Sequence, residues 1–153
     1  MPVPSPYHQL VLDHSREPRR FGELHGHTHA ADGSNPLCGD ALRVELRVAD
    51  GRVVGYAFRG EVCAVARASA SMLGDKLDGA DVAVLDRIES GLHELVAGKR
   101  LRDDALGDLN AFAALAQYPS RRKCALLPVA TARAALSGLA AATTQKIEDE
   151  RTP

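Results

Sequence analysis

Aromatic residues are scarce in this sequence: they make up 4% of it, and tryptophan is absent. Proteins that bind single-stranded nucleic acids stack the bases on aromatic side chains, so this composition disfavours that class. The 19 basic residues are balanced by 20 acidic ones, which leaves a net charge of −1 and no excess of positive charge for a phosphate backbone. We therefore expect no nucleic-acid partner.

The sequence also lacks a long uninterrupted apolar run. Its most apolar stretch, residues 125–144, contains Pro128, Arg133 and several threonines, a pattern that indicates an amphipathic helix rather than a membrane span. The N-terminal residues carry prolines at positions 2, 4 and 6 and no basic region ahead of an apolar segment, as a secretory signal would require. We expect a cytoplasmic protein without a membrane partner.

Cysteine is rare, with three residues in the whole chain. An odd number of cysteines in a chain expected to be cytoplasmic disfavours a disulfide framework. It favours metal binding or thiol chemistry instead. Function is therefore sought around Cys38, Cys63 and Cys124.

The 153 residues, 45% of them hydrophobic, fit one domain with a sizeable core. We expect this core over about residues 7–140, followed by a charged tail over 141–153 that need not be ordered. The pattern of apolar residues and turn signals predicts one helix, then a β-hairpin, then a run of helices, which is an α+β fold. A small antiparallel sheet, the hairpin plus a short edge strand, should pack against several helices.

The predicted elements follow from periodicity, caps and breaks. They are a helix over Tyr7–Ser15, a loop over Phe21–Asn35 with a short edge strand near His27–Ala30, strands over Ala41–Val48 and Val53–Phe58 joined by Asp50-Gly51, and helices over Cys63–Leu77, from Asp81 to about Glu89 with an apolar stripe reaching Leu95, over Leu106–Gln117, and from Pro119 to about Leu136.

The hairpin gives the cysteines a shared location. Cys38 precedes the first strand and Cys63 follows the second, so the two open ends of the hairpin bring them side by side. Cys124, expected to begin the last helix, needs only to dock at that edge. Three thiolates and the carboxylate of Asp40 would complete a tetrahedral zinc site, in which the carboxylate is the ligand most easily displaced.

One alternative to the metal site is that Cys63 and Cys124 have only a structural role, whereas positions at helix N-termini would prepare them to bind metal or accept sulfur. Both are flanked by apolar residues, and free cysteines most often behave as small buried hydrophobic residues. If they instead lie at helix N-termini, the helix dipole should lower the pKa of both thiols, and Arg121 with its basic neighbours should add to this effect at Cys124. Cys38 fits burial poorly because its surroundings indicate a surface turn.

Several motifs in order resemble the U-type iron–sulphur cluster assembly proteins, the IscU and NifU N-terminal type, and within them the SufU branch. They are Tyr7, Asp13-His14, Pro18-Arg19-Arg20 and Gly22; Asn35-Pro36-Leu37-Cys38-Gly39-Asp40; Phe58 to Cys63 with Ala68 to Met72; and Leu106 to Leu109 with Pro119 to Ala125. The long gap between Cys63 and Cys124, Lys123 in place of a histidine, and the missing Leu-Pro-Pro-Val-Lys tag favour the SufU branch.

The resemblance implies a SufE/IscU-like fold and a zinc-bound sulfur acceptor that serves a PLP-dependent cysteine desulfurase of the SufS type. The implied zinc ligands are Cys38, Asp40, Cys63 and Cys124. Cys38 would accept the persulfide sulfur after the partner displaces it from zinc, and Arg121 would assist near the metal. The sulfur would pass to a downstream scaffold or to apo-proteins, in a role closer to a sulfur-transfer accessory than to a stand-alone enzyme.

One residue departs from the family pattern. Val62 stands where a glycine usually precedes the second cysteine, and a β-branched residue does not readily adopt positive φ. If the family needs that backbone angle, the loop around Cys63 must differ in this chain.

Other functions stay open at this point. The protein could itself assemble a transient iron–sulphur cluster on the same ligands, or it could be a zinc-stabilised adaptor without sulfur transfer. A Cys–His thiol hydrolase is the enzymatic alternative, but no oxyanion-hole motif accompanies it. His25, His27 and His29 alternate as strand ligands would, although histidines in a glycine-rich loop are more often solvated.

Overall fold

Helices and one four-stranded sheet make up the part of the chain that the computed structural model describes, residues 8–36 and 38–144. The helices are α1 (Gln9–Arg16), α2 (Ala64–Leu77), α3 (Val84–Val96), a 3-10 segment (Asp104–Gln117) and α4 (Pro119–Leu136), and the strands are β1 (His29–Asn35), β2 (Asp40–Ala49), β3 (Arg52–Glu61) and β4 (Ala141–Thr143). The predicted α+β fold is confirmed. Residues 145–153 of the expected tail lie outside the described residues.

The predicted β2–β3 hairpin forms the centre of the architecture. Its turn residues Asp50 and Gly51 have φ values of 52° and 75°, the positive angles of a tight hairpin turn whose twist matches that of the strands. The strands run in the order β3-β2-β1-β4, with β1 antiparallel to β2 and β4 parallel to β1. The open end of this hairpin, at Asp40 and Glu61, faces the start of α2.

The loop predicted over Phe21–Asn35 contains a longer strand than the short edge strand expected near His27–Ala30. Residues His29–Asn35 form β1, which pairs along its whole length with β2. The sequence hides this strand because histidine, aspartate, glycine and serine have low β propensity. The packing of α4 requires a glycine at position 33. A Cβ atom there would lie 1.9 Å from Oγ1 of Thr131, because α4 packs directly against the strand backbone.

Three other elements also differ from the predictions. The helix expected to end near Glu89 continues as α3 to Val96. The helix expected over Leu106–Gln117 is a 3-10 segment with a break at Gly107, where φ is 53° and ψ is −129°. Residues 141–143, assigned to the tail, form β4, because the edge of β1 offers unpaired backbone groups to the returning chain.

Small side chains allow α2 and α4 to pack closely. Ala66, Ala70 and Ala125 are buried in the core between these elements and the sheet. The hydroxyl of Ser69 donates to the carbonyl of Ala125 over 2.6 Å, which fixes one helix relative to the other. This contact places the second turn of α2 beside the second turn of α4. Within the described ranges, no helix is both long and apolar enough to span a membrane.

Candidate metal centre

The turn between β1 and β2 carries the first cysteine. Asn35 and Asp40 pair across the end of the two strands, and the backbone N–H of Cys38 donates to the carbonyl of Asn35 over 3.2 Å. Gly39 has a φ of 71°, an angle that glycine adopts without strain and that closes the turn. Cys38 is therefore presented at the tip of a tight turn, where its side chain is exposed.

Asp40 connects this turn to the start of α2. Its side chain is only 4% exposed, and its Oδ1 accepts a hydrogen bond of 2.7 Å from the backbone N–H of Cys63. Cys63 itself is the N-cap residue of α2. The two open ends of the hairpin thus meet, as the spacing of the strands predicts.

Cys124 contributes a second sulfur to the site, from helix α4. It is fully buried in α4, and its Sγ lies 3.4 Å from the Sγ of Cys38. One ligand atom each from Cys38, Asp40 and Cys124 lie within 4.8 Å of one another. These three residues form a compact donor set of two sulfurs and one carboxylate oxygen.

Cys63 borders the same site. It is half-buried and lines, together with Cys38, Asp40 and Arg67, an open cavity of about 420 Å³. The pKa of Cys63 is lowered to about 7, mainly because the thiol of Cys124 donates a hydrogen bond to its sulfur. Burial opposes this shift, and backbone N–H groups in the first turn of α2 support it. The thiolate of Cys63 is thus easier to form than that of an ordinary cysteine.

The prediction of a lowered pKa is wrong for Cys124. Its pKa is raised, first by the hydrogen bond to Cys63 and then by burial. Cys124 does not begin α4 but lies in its second turn, beyond the N-terminal N–H groups that would stabilise a thiolate. Without a metal, Cys124 is a protonated donor to Cys63.

Asn35 contacts the candidate site through its side chain, which sequence reasoning missed. Its side chain is fully buried, and its Nδ2 lies 3.5 Å from both Oδ2 of Asp40 and Sγ of Cys124. Its Oδ1 accepts a hydrogen bond of 3.0 Å from the hydroxyl of Thr144, which follows β4. Asn35 therefore orients two members of the donor set. The Asn35-Pro36 pair indicated only a turn, since the partners of Asn35 are distant in sequence.

Two other positions singled out in the sequence lie close by. Arg121 is half-buried on α4, one turn before Cys124 and on the same side of the helix. Val62 is not among the described residues with positive φ, and the positive angle nearby falls on Gly60 at the end of β3, with a φ of 142°. A Cβ atom at Gly60 would lie 2.1 Å from the carbonyl oxygen of Ala41. The loop thus reaches Cys63 without a glycine at position 62.

His14, His27 and His29 contact oxygen atoms rather than the cysteine sulfurs. His14 is buried, and its ring nitrogens contact the hydroxyl of Ser71 at 2.7 Å and a carboxylate oxygen of Asp108 at 3.1 Å. Asp75, next to this pair, already binds Arg19 and Arg20. The ring of His27 contacts the carbonyl of Leu24, and the ring of His29 contacts the hydroxyl of Thr28. Among the described residues, His25, His27 and His29 join no cluster of three metal donors.

These findings bear on the thiol-hydrolase alternative. A nucleophilic cysteine in such an enzyme needs a histidine within hydrogen-bond reach. The described contacts of His14, His27 and His29 are with hydroxyl, carboxylate and carbonyl oxygens rather than with sulfur. The cysteines instead face one another and a carboxylate, an arrangement typical of metal ligands.

Known proteins are similar to this chain in both sequence and fold. Residues 6–125 match the family model of the NifU-like N-terminal domain. The chain belongs to this family. It is 35% identical over 123 residues to the zinc-dependent sulfurtransferase SufU of Bacillus subtilis, an alignment that covers 79% of this chain and 82% of that protein. It is 30% identical over 122 residues to the iron–sulphur cluster assembly scaffold protein IscU of Streptococcus pyogenes, covering 79% and 76%.

Solved structures of the NifU-like family agree with the architecture. A SufU structure from Fervidobacterium islandicum aligns with a TM-score of 0.80 at 25% identity, over 85% of this chain and 96% of that one. A NifU-like N-terminal protein from Brucella abortus aligns with a TM-score of 0.81 at 21% identity, over 88% and 94%, which supports the fold alone. The protein is thus a member of the SufU and IscU group of iron–sulphur cluster assembly proteins.

Proposed function

We propose that this protein accepts sulfur from the persulfide of a PLP-dependent cysteine desulfurase and passes it to iron–sulphur cluster assembly. The observation that carries the proposal is the position of Cys38. Its sulfur is exposed on a turn, yet lies 3.4 Å from the buried sulfur of Cys124. The thiol of Cys38 is thus accessible to a partner protein, while Asp40 and Cys124 are buried. The SufU relative named a zinc-dependent sulfurtransferase supports this role.

The proposed transfer is a thiol–persulfide exchange. Once the desulfurase has displaced Cys38 from the proposed metal site, the Cys38 thiolate attacks the outer sulfur of the desulfurase persulfide and forms a new sulfur–sulfur bond. The sulfur–sulfur bond of the desulfurase breaks, and its cysteine leaves as a thiolate with the electron pair. One persulfide is consumed and one is formed, so no external oxidant or reductant is required.

Zinc is the metal that the donor set fits. Two sulfurs bound to a tetrahedral zinc, each at about 2.3 Å, are about 3.8 Å apart, and the sulfurs of Cys38 and Cys124 are 3.4 Å apart. Cys38, Asp40, Cys63 and Cys124 would hold the ion. When bound, zinc would keep the thiols deprotonated and link the hairpin, α2 and α4. Arg121 would assist near this site.

We expect about one zinc per chain in protein prepared without a histidine tag. Because the ligands come from three different elements, a chelator should lower the melting temperature by several degrees. Elemental analysis and a thermal melt with and without chelator measure both quantities. Metal-free protein with three freely titrating thiols would contradict the zinc site. Zinc loss without a change in melting temperature would indicate adventitious binding, for example at His25 and its neighbours.

The protein should stimulate a SufS-type desulfurase. We expect faster release of alanine from cysteine when the protein is added, because Cys38 removes the persulfide that otherwise occupies the desulfurase. The Cys38→Ser variant is the matched control, since it changes one sulfur to oxygen at an exposed site. If several desulfurases of this type show an unchanged rate, the zinc-stabilised adaptor becomes the better account.

The same chemistry bears on partners and location. Downstream recipients would be an iron–sulphur scaffold or apo-proteins, and the protein would act as a single domain. All three cysteines are free thiols, and such thiols persist in the reducing cytoplasm. We therefore assign the protein to that compartment as part of the proposal.

A further inference from the structure

Arg67 lies beside the cysteines, although no sequence motif singled it out. Its backbone N–H donates to the carbonyl of Cys63 over 2.9 Å, so the two residues are one helical turn apart on the same side of α2. Long side chains on a helix lean towards its N-terminus, which here is the cysteine end. Arg67 accordingly lines the same cavity as Cys38 and Cys63.

The guanidinium is held in place by an aromatic ring. Its central carbon lies 4.9 Å from the centroid of the Phe21 ring, a cation–π contact. Phe21 in turn packs edge-on against Phe58, with the ring centroids 5.3 Å apart. The aromatic pair fixes the arginine at the cavity wall, and it supplies no hydrogen-bond acceptor.

The Nε of Arg67 is a buried donor without a hydrogen-bond partner among the described residues. A buried donor left unpaired carries a desolvation cost, so such groups generally have a function or a missing partner. The nearby carboxylate of Asp40 is occupied by the backbone of Cys63 and by Asn35. Arg67 lines this cavity and keeps a guanidinium N–H unpaired, so it suits an anion that arrives during function.

We propose that Arg67 binds the terminal sulfur of the persulfide formed on Cys38 and so stabilises the loaded state. This inference rests on the proposed function, because it requires sulfur to be delivered to Cys38. The terminal sulfur is an anion in the same cavity. The planar guanidinium is permanently charged and more weakly hydrated than an ammonium, which suits a large, diffuse anion better than lysine would.

The test follows the lifetime of the loaded state. The protein is loaded with a SufS-type desulfurase and cysteine or, in parallel, with sodium tetrasulfide, which donates one sulfur to a free thiolate and leaves as trisulfide. After removal of excess reagent, mass spectrometry of the Cys38 peptide follows the persulfide over time. The variants are Arg67→Met, which keeps length without charge, and Arg67→Lys. Arg47→Met, an exposed arginine on β2, is the control.

Arg67→Met should lose the Cys38 persulfide about tenfold faster than the unmodified protein, the effect of one charge-assisted hydrogen bond. Arg67→Lys should fall between the two, and Arg47→Met should match the unmodified protein. Zinc content should be equal in all four, which separates a role in binding sulfur from a structural role. If Arg67→Met destabilises the protein, Phe21→Leu, which removes the ring under the guanidinium, should still shorten the lifetime.

Two negative results have different meanings. Equal persulfide lifetimes in the unmodified protein, Arg67→Met and Phe21→Leu would overturn the role of Arg67 and leave the proposed function intact. Failure of the unmodified protein to carry a persulfide on Cys38, whether loaded by tetrasulfide or by desulfurase, would overturn the proposed function and this inference with it.

Discussion

Replacing Cys38 with alanine is expected to abolish sulfur acceptance while the fold and most of the zinc remain. Cys38 is exposed on a turn, so the change removes no core packing. Asp40, Cys63 and Cys124 stay in place, and three protein ligands are the number with which catalytic zinc sites hold their metal. Zinc per chain should stay above about half of the original value, and persulfide formation should fall to background.

The corresponding changes at the other two cysteines should behave differently. Cys124 is fully buried in α4, and Cys63 caps α2. Alanine at either position removes a sulfur from the interior of the site, so we expect zinc per chain to fall towards zero. Elemental analysis of Cys38→Ala, Cys63→Ala and Cys124→Ala, prepared in parallel, provides the comparison. Equal zinc loss in all three would show that Cys38 is held as firmly as the others.

Asn35→Ala is expected to cause a substantial loss of stability while it leaves every proposed ligand intact. Asn35 is fully buried and contacts Asp40, Cys124 and Thr144. Its removal leaves the buried hydroxyl of Thr144 unpaired and releases two donors of the site. The free energy of unfolding should fall by about 2–3 kcal/mol, as measured by urea denaturation.

The matched control for this prediction is Thr144→Val, which removes the other partner of the same hydrogen bond. Thr144 contacts Asn35 but has no described bond to the cysteines. The double variant should be less destabilised than the sum of the single variants, since both break one contact. Unfolding free energies that are strictly additive, or an Asn35→Ala protein as stable as the original, would refute the role of Asn35.

Local signals in the sequence were sufficient for the hairpin and for the meeting of its ends. Asp50-Gly51 specifies a turn, alternation specifies the strands, and pairing then brings Asp40 to the N–H of Cys63. These steps depend on neighbours in sequence. They required no knowledge of how the helices pack.

The rest of the site depends on distant contacts. β1 is a strand because β2 and α4 cover it, although its own residues favour a loop. Asn35 gains its role from Cys124 and Thr144, and Arg67 from the cavity it lines. The raised pKa of Cys124 follows from its hydrogen bond to Cys63 and from burial. Periodicity and spacing carry no information about such contacts, which only the folded chain creates.

The most direct test of the account locates the transferred sulfur after turnover. The protein is incubated with a SufS-type desulfurase and cysteine, digested without reductant, and its three cysteine peptides are compared by mass spectrometry. The account predicts one additional sulfur on the peptide that contains Cys38 and none on those of Cys63 and Cys124. Additional sulfur on the Cys124 peptide, with Cys38 unmodified, would contradict it.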